Sequence, residues 1–325
     1  MVREKPDRAG VEAAARRIAG EVVRTPLLPV EIGGVWLWVK AECLQRGGSF
    51  KLRGAANRLI QLSDEERGRG VVAFSSGNHG LGTALAARKL GMSAIIVMPS
   101  DAPAVKRDAI LAAGARIVEM NRATESREEI GARLAEETGG TLVPSFDDID
   151  IIEGQGSVGV EIEHQLGQAP DKVIVPCGGG GLSGGIALAL PDSEIVIVEP
   201  SGWDDMTRSL ERGSIVPVPD DAPVTRCDAL QTKLVSPLTF GALRDAGARG
   251  VAVTEDEIAA AMAFAARQLR IVAEPGGAVA LAAALAGKTG PLTERTVIVV
   301  SGGNVDPLVY AEILRAQAAE APRSS

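Results

Sequence analysis

Lys51 stands directly after Gly47-Gly48-Ser49-Phe50 and before Leu52-Arg53-Gly54, a lysine behind a glycine turn at the start of a helical stretch. There the positive end of the helix dipole favours the neutral amine, which is the nucleophilic form. Two polar-glycine loops could work with it. Ser75-Ser76-Gly77-Asn78-His79-Gly80 follows an apolar run at 71–74 and opens a helix, and Ser301-Gly302-Gly303-Asn304 follows the run 296–300. Both offer polar groups at the C-terminal ends of strands, where α/β sheets bind ligands. A fourth segment, Gly178-Gly179-Gly180-Gly181-Leu182-Ser183-Gly184-Gly185, lies between the strand 172–176 and an apolar helical run at 186–190. Strand, glycine loop and helix N-terminus together make an anion site from backbone N–H groups and the helix dipole. Four consecutive glycines remove every Cβ, so several N–H groups can grip one phosphate.

The same loop satisfies a second pattern. Gly179, Gly181 and Gly184 form G-x-G-x-x-G, and Glu199 ends the next strand 20 residues after Gly179. A nicotinamide enzyme carries its ribose-binding acid at that spacing. On this loop alone an NAD-binding oxidoreductase is a fair reading. Three strand-end polar-glycine loops beside a phosphate cradle fit one small phosphorylated cofactor better than a dinucleotide.

Composition removes several classes. The chain has 325 residues, 46% hydrophobic and 23% charged, with a net charge of −8. That suits a soluble globular protein of about two domains. No run of Lys and Arg provides the footprint of a nucleic-acid binder. No apolar segment reaches the roughly 20 residues of a membrane span, and residues 1–10 are polar. Cys43, Cys177 and Cys227 are odd in number and widely spaced, which argues against a disulfide framework and a zinc site. A cytoplasmic location is expected. Of the two histidines, His164 lies off the apolar stripe of Val158, Ile162 and Leu166 and is expected at the surface.

The elements that must position these loops read as alternating strands and helices. Apolar runs at 35–40, 71–74, 94–98, 116–120, 141–143, 172–176, 194–199, 251–254 and 296–300 predict strands. Helical stretches lie between most of them, at 81–90, 104–113, 124–137, 157–166, 255–269 and 279–285. This alternation predicts an α/β protein with mostly parallel sheets covered on both faces. Ser63 with Glu66 and Thr254 with Glu257 fit capping boxes, so these glutamates are read as caps. Residues 316–325 are expected to fray.

Taken together, the four loops resemble those of the serine/threonine dehydratase group of fold-type II pyridoxal-phosphate enzymes, which includes serine racemase. The resemblance extends from Arg24-Thr25-Pro26-Leu27 through Ser301-Gly302-Gly303-Asn304, and His79 stands where the related cysteine synthases carry threonine. It implies a tryptophan synthase β-like fold of two three-layer α/β/α domains. Residues 1–62 and 144–325 would form the large cofactor domain, and 63–143 a smaller mobile domain on the substrate side. Lys51 would link covalently to pyridoxal 5′-phosphate and then remove the Cα proton. Phe50 would pack on the ring, Asn78 would bond its 3-hydroxyl, and Ser301 would face its nitrogen. Gly178, Gly179, Gly180 and Gly181, with Leu182, would hold the phosphate. Ser75, Ser76, Gly77 and His79 would receive the substrate carboxylate, with Ser76 the second base in a racemase. Arg127 could reach a second carboxylate, if the substrate had one.

The resemblance also reinterprets Glu199. Glu199, Asp205 and the carbonyl of Trp203 match the group's divalent-cation site, and such hard oxygen ligands suit Mg²⁺ or Ca²⁺. The expected activity is deamination of L-serine or L-threonine to ammonia and a 2-oxo acid by a homodimer. An amino-acid racemase or a 3-hydroxyaspartate dehydratase on the same cofactor is the nearest alternative. With the sequence ending soon after Asn304, feedback control through the regulatory domain of biosynthetic threonine dehydratases is not expected.

Overall fold

A computed structural model describes residues 3–75, 77–102, 104–121 and 124–320. Among them are ten strands: β1 (Leu27–Ile32), β2 (Val35–Ala41), β3 (Val71–Phe74), β4 (Ala94–Pro99), β5 (Arg116–Met120), β6 (Thr141–Leu142), β7 (Lys172–Pro176), β8 (Glu194–Pro200), β9 (Arg249–Val253) and β10 (Thr296–Val300). They form a six-stranded sheet in the order β1-β2-β10-β7-β8-β9 and a four-stranded sheet in the order β5-β4-β3-β6. Every pairing is parallel except the β1–β2 hairpin, whose turn residues Gly33 and Gly34 both have positive φ. That turn favours glycine at both positions. The chain is mixed α/β with parallel sheets, as its strand–helix alternation predicts.

Covering of both faces is visible residue by residue in the larger sheet. Ile174, Val196, Val198, Ile298 and Val300 pack on one side with the helices Glu255–Phe264 and Pro275–Leu285. Their strand neighbours Val173, Val175, Ile195, Ile197, Val297 and Val299 pack on the other, with Val158, Ile162 and Ile186 of the helices Ile149–Leu166 and Gly181–Ala189. Successive side chains on a strand point to opposite faces, so a doubly covered strand must be apolar throughout. The smaller sheet repeats the arrangement, with Val71, Ala73 and Ile96 on one side and Val72 and Val97 on the other.

Helix Lys51–Ile60 is wedged between other helices by glycine contacts. A Cβ on Gly82 would lie 3.0 Å from the backbone of Lys51 and Leu52, and one on Gly154 would lie 2.7 Å from Gly54 Cα. These close approaches set the first turn of the Lys51 helix beside the helix Asn78–Lys89. Within the same helix Arg53 is fully buried and bonds Glu42 and Glu161 through both faces of its fork, at 2.7–2.9 Å. Lys40 also bonds Glu161, so two cations meet two carboxylates. Removing one partner of a buried pair typically costs about 3–5 kcal/mol, so this cluster fixes the helix that begins at Lys51.

Both predicted capping boxes form. Three expectations need correction. Strand β1 and the helix Arg8–Ile18 lie in stretches for which no element is predicted. The last third of the stretch 255–269 is a π-turn, Ala265–Leu269, that ends on Arg270 at φ +58°. Residues 316–320, expected to fray, belong to the helix Pro307–Glu320, and 321–325 lie outside the described residues. No helix among the described residues is long and apolar enough to cross a membrane.

Candidate active site

Loops from the C-terminal ends of strands converge. Ser75 follows β3, Gly178 follows β7 and Ser301 follows β10. Lys51 is the first residue of its helix, and the N–H of Phe50 donates to the Ser301 carbonyl at 3.2 Å. An antiparallel bridge between Ser49 and Gly302 completes this junction.

A cavity of about 580 Å³ opens beside Lys51. Ser75, Gly77, Asn78, His79 and Arg127 line it, so six of the residues expected from sequence share one space with Lys51 counted. Ser76, expected as a second base, lies outside the described residues. The Lys51 amine donates to the Ser145 carbonyl at 3.0 Å and lies 5.1 Å from the centre of the Phe50 ring. Burial penalises its charged form and lowers its pKa to about 8, so burial rather than the helix dipole is the cause that stands out.

The imidazole of His79 has a fixed sense. Its Nε2 lies 2.9 Å from the Val143 carbonyl, which can only accept, so Nε2 carries the proton. Nδ1 is then a bare acceptor, buried and without a partner among the described residues. Burial first, and the nearby Lys51 second, lower the pKa to about 3 and keep the ring neutral.

Asn78 is held on both sides. Its Nδ2 donates to Glu274 Oε1 at 2.5 Å, and its Oδ1 accepts from Asn304 Nδ2 at 2.8 Å. Glu274 is not among the residues expected from sequence; it occupies the N-cap position before Pro275, but its side chain makes no capping bond. Burial raises its carboxyl to about 7, and its Oε2 has no partner among the described residues.

The glycine loop lies behind Phe146. Gly180 takes φ +84° and precedes the helix Gly181–Ala189, whose N-terminus has no side-chain cap. Its first-turn N–H groups therefore stay available to an anion. A Cβ on Gly179 would come within 2.2 Å of the Phe146 ring, and one on Gly180 within 2.8 Å of Met206 and Thr239. Side chains are excluded from this cradle on several sides. Together with a buried, depressed lysine amine at hand, this is a donor set that fits pyridoxal phosphate.

Two cationic side chains of the region 71–142 face the cavity. Arg127 opens the helix Arg127–Thr138, bonds Glu128 at 2.8 Å and lies 5.8 Å from the Phe74 ring. Lys106, on the helix Ala104–Ala112, contacts the carboxylate of Asp228 on the short turn Asp228–Leu230. Neither Lys106 nor Phe146 carries a sequence signal beyond a helix face and a loop.

Glu199, Trp203 and Asp205 stand apart from this cavity, at the end of β8 and the following turn. Glu199 is buried and accepts from Met206 N, Thr207 N and Thr207 Oγ1 at 3.1, 2.8 and 2.6 Å. Its carboxylate thereby faces the first turn of the helix Asp205–Arg212. Both oxygens of Asp205 are buried without a partner among the described residues, and Trp203 Nε1 donates to the Pro223 carbonyl. Burial raises both carboxyls, Glu199 to about 8 and Asp205 to about 7. His164 is exposed, as expected.

Comparison with known proteins agrees with the geometry. The chain belongs to the pyridoxal-phosphate-dependent enzymes: the family model described as "Pyridoxal-phosphate dependent enzyme" matches residues 18–302. It is similar to L-threo-3-hydroxyaspartate ammonia-lyase of Saccharomyces cerevisiae, with 40% identity over 95% of this chain and 96% of the relative. A protein of the same name from Pseudomonas sp is 43% identical, over 93% and 96% of the two chains. The structure of maize serine racemase superposes with a TM-score of 0.89 at 36% identity, covering 97% of this chain and 98% of that one. The fold is accordingly that of the fold-type II enzymes, and the chain is an enzyme of that class.

Proposed function

We propose that the protein is a hydroxy-amino-acid ammonia-lyase whose preferred substrate is 3-hydroxyaspartate, ahead of L-serine and L-threonine. The observation that carries the lyase reading is the Lys51 amine, buried at a cavity with its pKa lowered to about 8. The dicarboxylic substrate is supported by the two hydroxyaspartate relatives and by cationic side chains facing the same cavity.

When bound, pyridoxal phosphate supplies the electron sink that makes the substrate Cα–H acidic. The Lys51 Nζ takes that proton, and the Ser145 carbonyl keeps the amine directed. The N–H groups of Gly178 to Leu182 and the dipole of the following helix hold the phosphate. Asn78 would bond the cofactor's 3-hydroxyl, Phe50 would pack against its ring, and the neutral Ser301 hydroxyl would face its nitrogen. Ser75, Ser76 and Gly77 receive the α-carboxylate. His79 offers an acceptor at Nδ1 and no proton, so it orients substrate and is not the acid for the leaving hydroxyl. Loss of water followed by hydrolysis releases ammonia and the 2-oxo acid. Residues 63–143 act as the mobile domain that closes over the substrate and excludes water.

A cation site belongs to the same reading. Asp205 with its two unpartnered oxygens, Glu199 and the Trp203 carbonyl suit Mg²⁺ or Ca²⁺, whose charge would offset two buried carboxylates. Serine racemization is the second reading, favoured by the likeness to the maize enzyme. Incubation with L-threo-3-hydroxyaspartate, L-serine and L-threonine, scoring ammonia, 2-oxo acid and enantiomer inversion, separates these readings. The highest kcat/KM for 2-oxo acid formation should belong to 3-hydroxyaspartate. Inversion of serine without ammonia release would overturn the lyase assignment.

A further inference from the structure

We propose that Lys106 is the specificity residue that binds the distal carboxylate of the substrate, and that Asp228 occupies it as a built-in substitute until substrate arrives. This rests on the dicarboxylic reading above and extends it to one side chain.

Arg127 is the obvious cation for that task, but its side chain is 42% exposed and already engaged with Glu128 and the Phe74 ring. The Lys106 side chain is 12% exposed and faces the same cavity as Lys51. Its stem lies along the loop at Gly77, where a Cβ would stand 3.4 Å from both Cδ and Nζ. The ammonium thus sits beside the segment that follows β3. Its partner comes from the other side of the cavity. Asp228 belongs to a turn packed on the glycine loop, with Leu230 Cα 3.1 Å from a Cβ built on Gly178. A carboxylate therefore already meets Lys106 inside the cavity, between the Gly77 loop and the phosphate cradle.

Exchange of one carboxylate for another keeps the charge-assisted bond to Lys106. Asp228, at 38% side-chain exposure, can turn to water when it is released. A substrate with only its α-carboxylate has nothing to offer Lys106 and leaves the pair in place. The alternative role for the pair is a simple tie between the two sides of the cavity. The two roles differ in sign. A tie is cut equally by changing either partner. A binding cation and its competitor respond in opposite directions.

The test uses the holoenzyme and the ratio of kcat/KM for L-threo-3-hydroxyaspartate to that for L-serine. Lys106→Gln should lower the ratio about 10-fold or more, the scale of a lost bond between charged groups. Asp228→Asn should raise it, and Lys106→Arg should restore most of it. Binding of succinate against butyrate, followed through the cofactor absorbance, gives a readout free of turnover. Wild type should prefer succinate, and Lys106→Gln should lose that preference. Movement of the ratio in the same direction in Lys106→Gln and Asp228→Asn would overturn the proposal, as would a succinate preference that survives Lys106→Gln. If wild type fails to turn over 3-hydroxyaspartate yet shows the Lys106-dependent succinate preference, the functional reading falls and the role of Lys106 stands.

Discussion

Asn78 Nδ2 donates to Glu274 Oε1 across 2.5 Å, and both side chains are buried. The carboxyl of Glu274 is raised from its ordinary 4.5 to about 7, chiefly by burial. Between these values the folded chain keeps a proton that the unfolded chain has released. Stability from this group is therefore full below about pH 4.5 and is lost as pH rises through about 7. Glu274→Gln is neutral throughout and still accepts from Asn78. Thermal unfolding of cofactor-free protein from pH 5 to 8 should show wild type losing more than the variant. Parallel curves would contradict the raised carboxyl.

His79 should stay neutral across the working range. With its pKa lowered to about 3 and Nε2 bonded to the Val143 carbonyl, the ring should show the Nε2–H tautomer in nitrogen NMR from pH 5 to 8. A protonation step near pH 6–7 would restore His79 as a candidate acid and remove its assignment as an acceptor.

Gly179 tests the phosphate cradle. Gly179→Ala drives a methyl into the Phe146 ring, an overpacking change that typically costs about 1–3 kcal/mol. It also blocks approach to the loop, so cofactor affinity should fall as well. In a Phe146→Ala background the stability loss should shrink while the affinity loss persists. Recovery of full affinity in the double variant would place the cofactor away from this loop.

Much of this site was legible because its signals are local. A strand followed by Gly178 to Gly181 and an apolar helix spells an anion cradle within a dozen residues, and Lys51 sits in an equally short pattern. The capping boxes at Ser63 and Thr254 are local for the same reason. Glu274, Lys106 and Phe146 act through partners 196, 122 and 33 residues away, so no window of sequence displays them. The helix-dipole reading of Lys51 predicts the right direction, a favoured neutral amine, yet burial, a property of the assembled fold, is what lowers its pKa. Strand β1 lacks a continuous apolar run because it carries Pro29 and Glu31 and forms an edge, where proline is tolerated.

The cation site is tested by stability rather than rate. Chelator treatment should lower the unfolding temperature of wild type by several degrees, and Mg²⁺ or Ca²⁺ should restore it, because a ligand of the folded state stabilises by mass action. Asp205→Asn should be insensitive to chelator. A wild type indifferent to chelation would remove the metal from the account.

If Lys51 carries the chemistry, borohydride reduction of the purified holoenzyme followed by peptide mapping finds the cofactor there. The cofactor mass should appear on the peptide containing Lys51 and be absent after Lys51→Ala, with activity falling at least about 10³-fold, as expected when a nucleophile is removed. Trapping at Lys40, Lys106 or Lys172, or no trapping on an active enzyme, would contradict it.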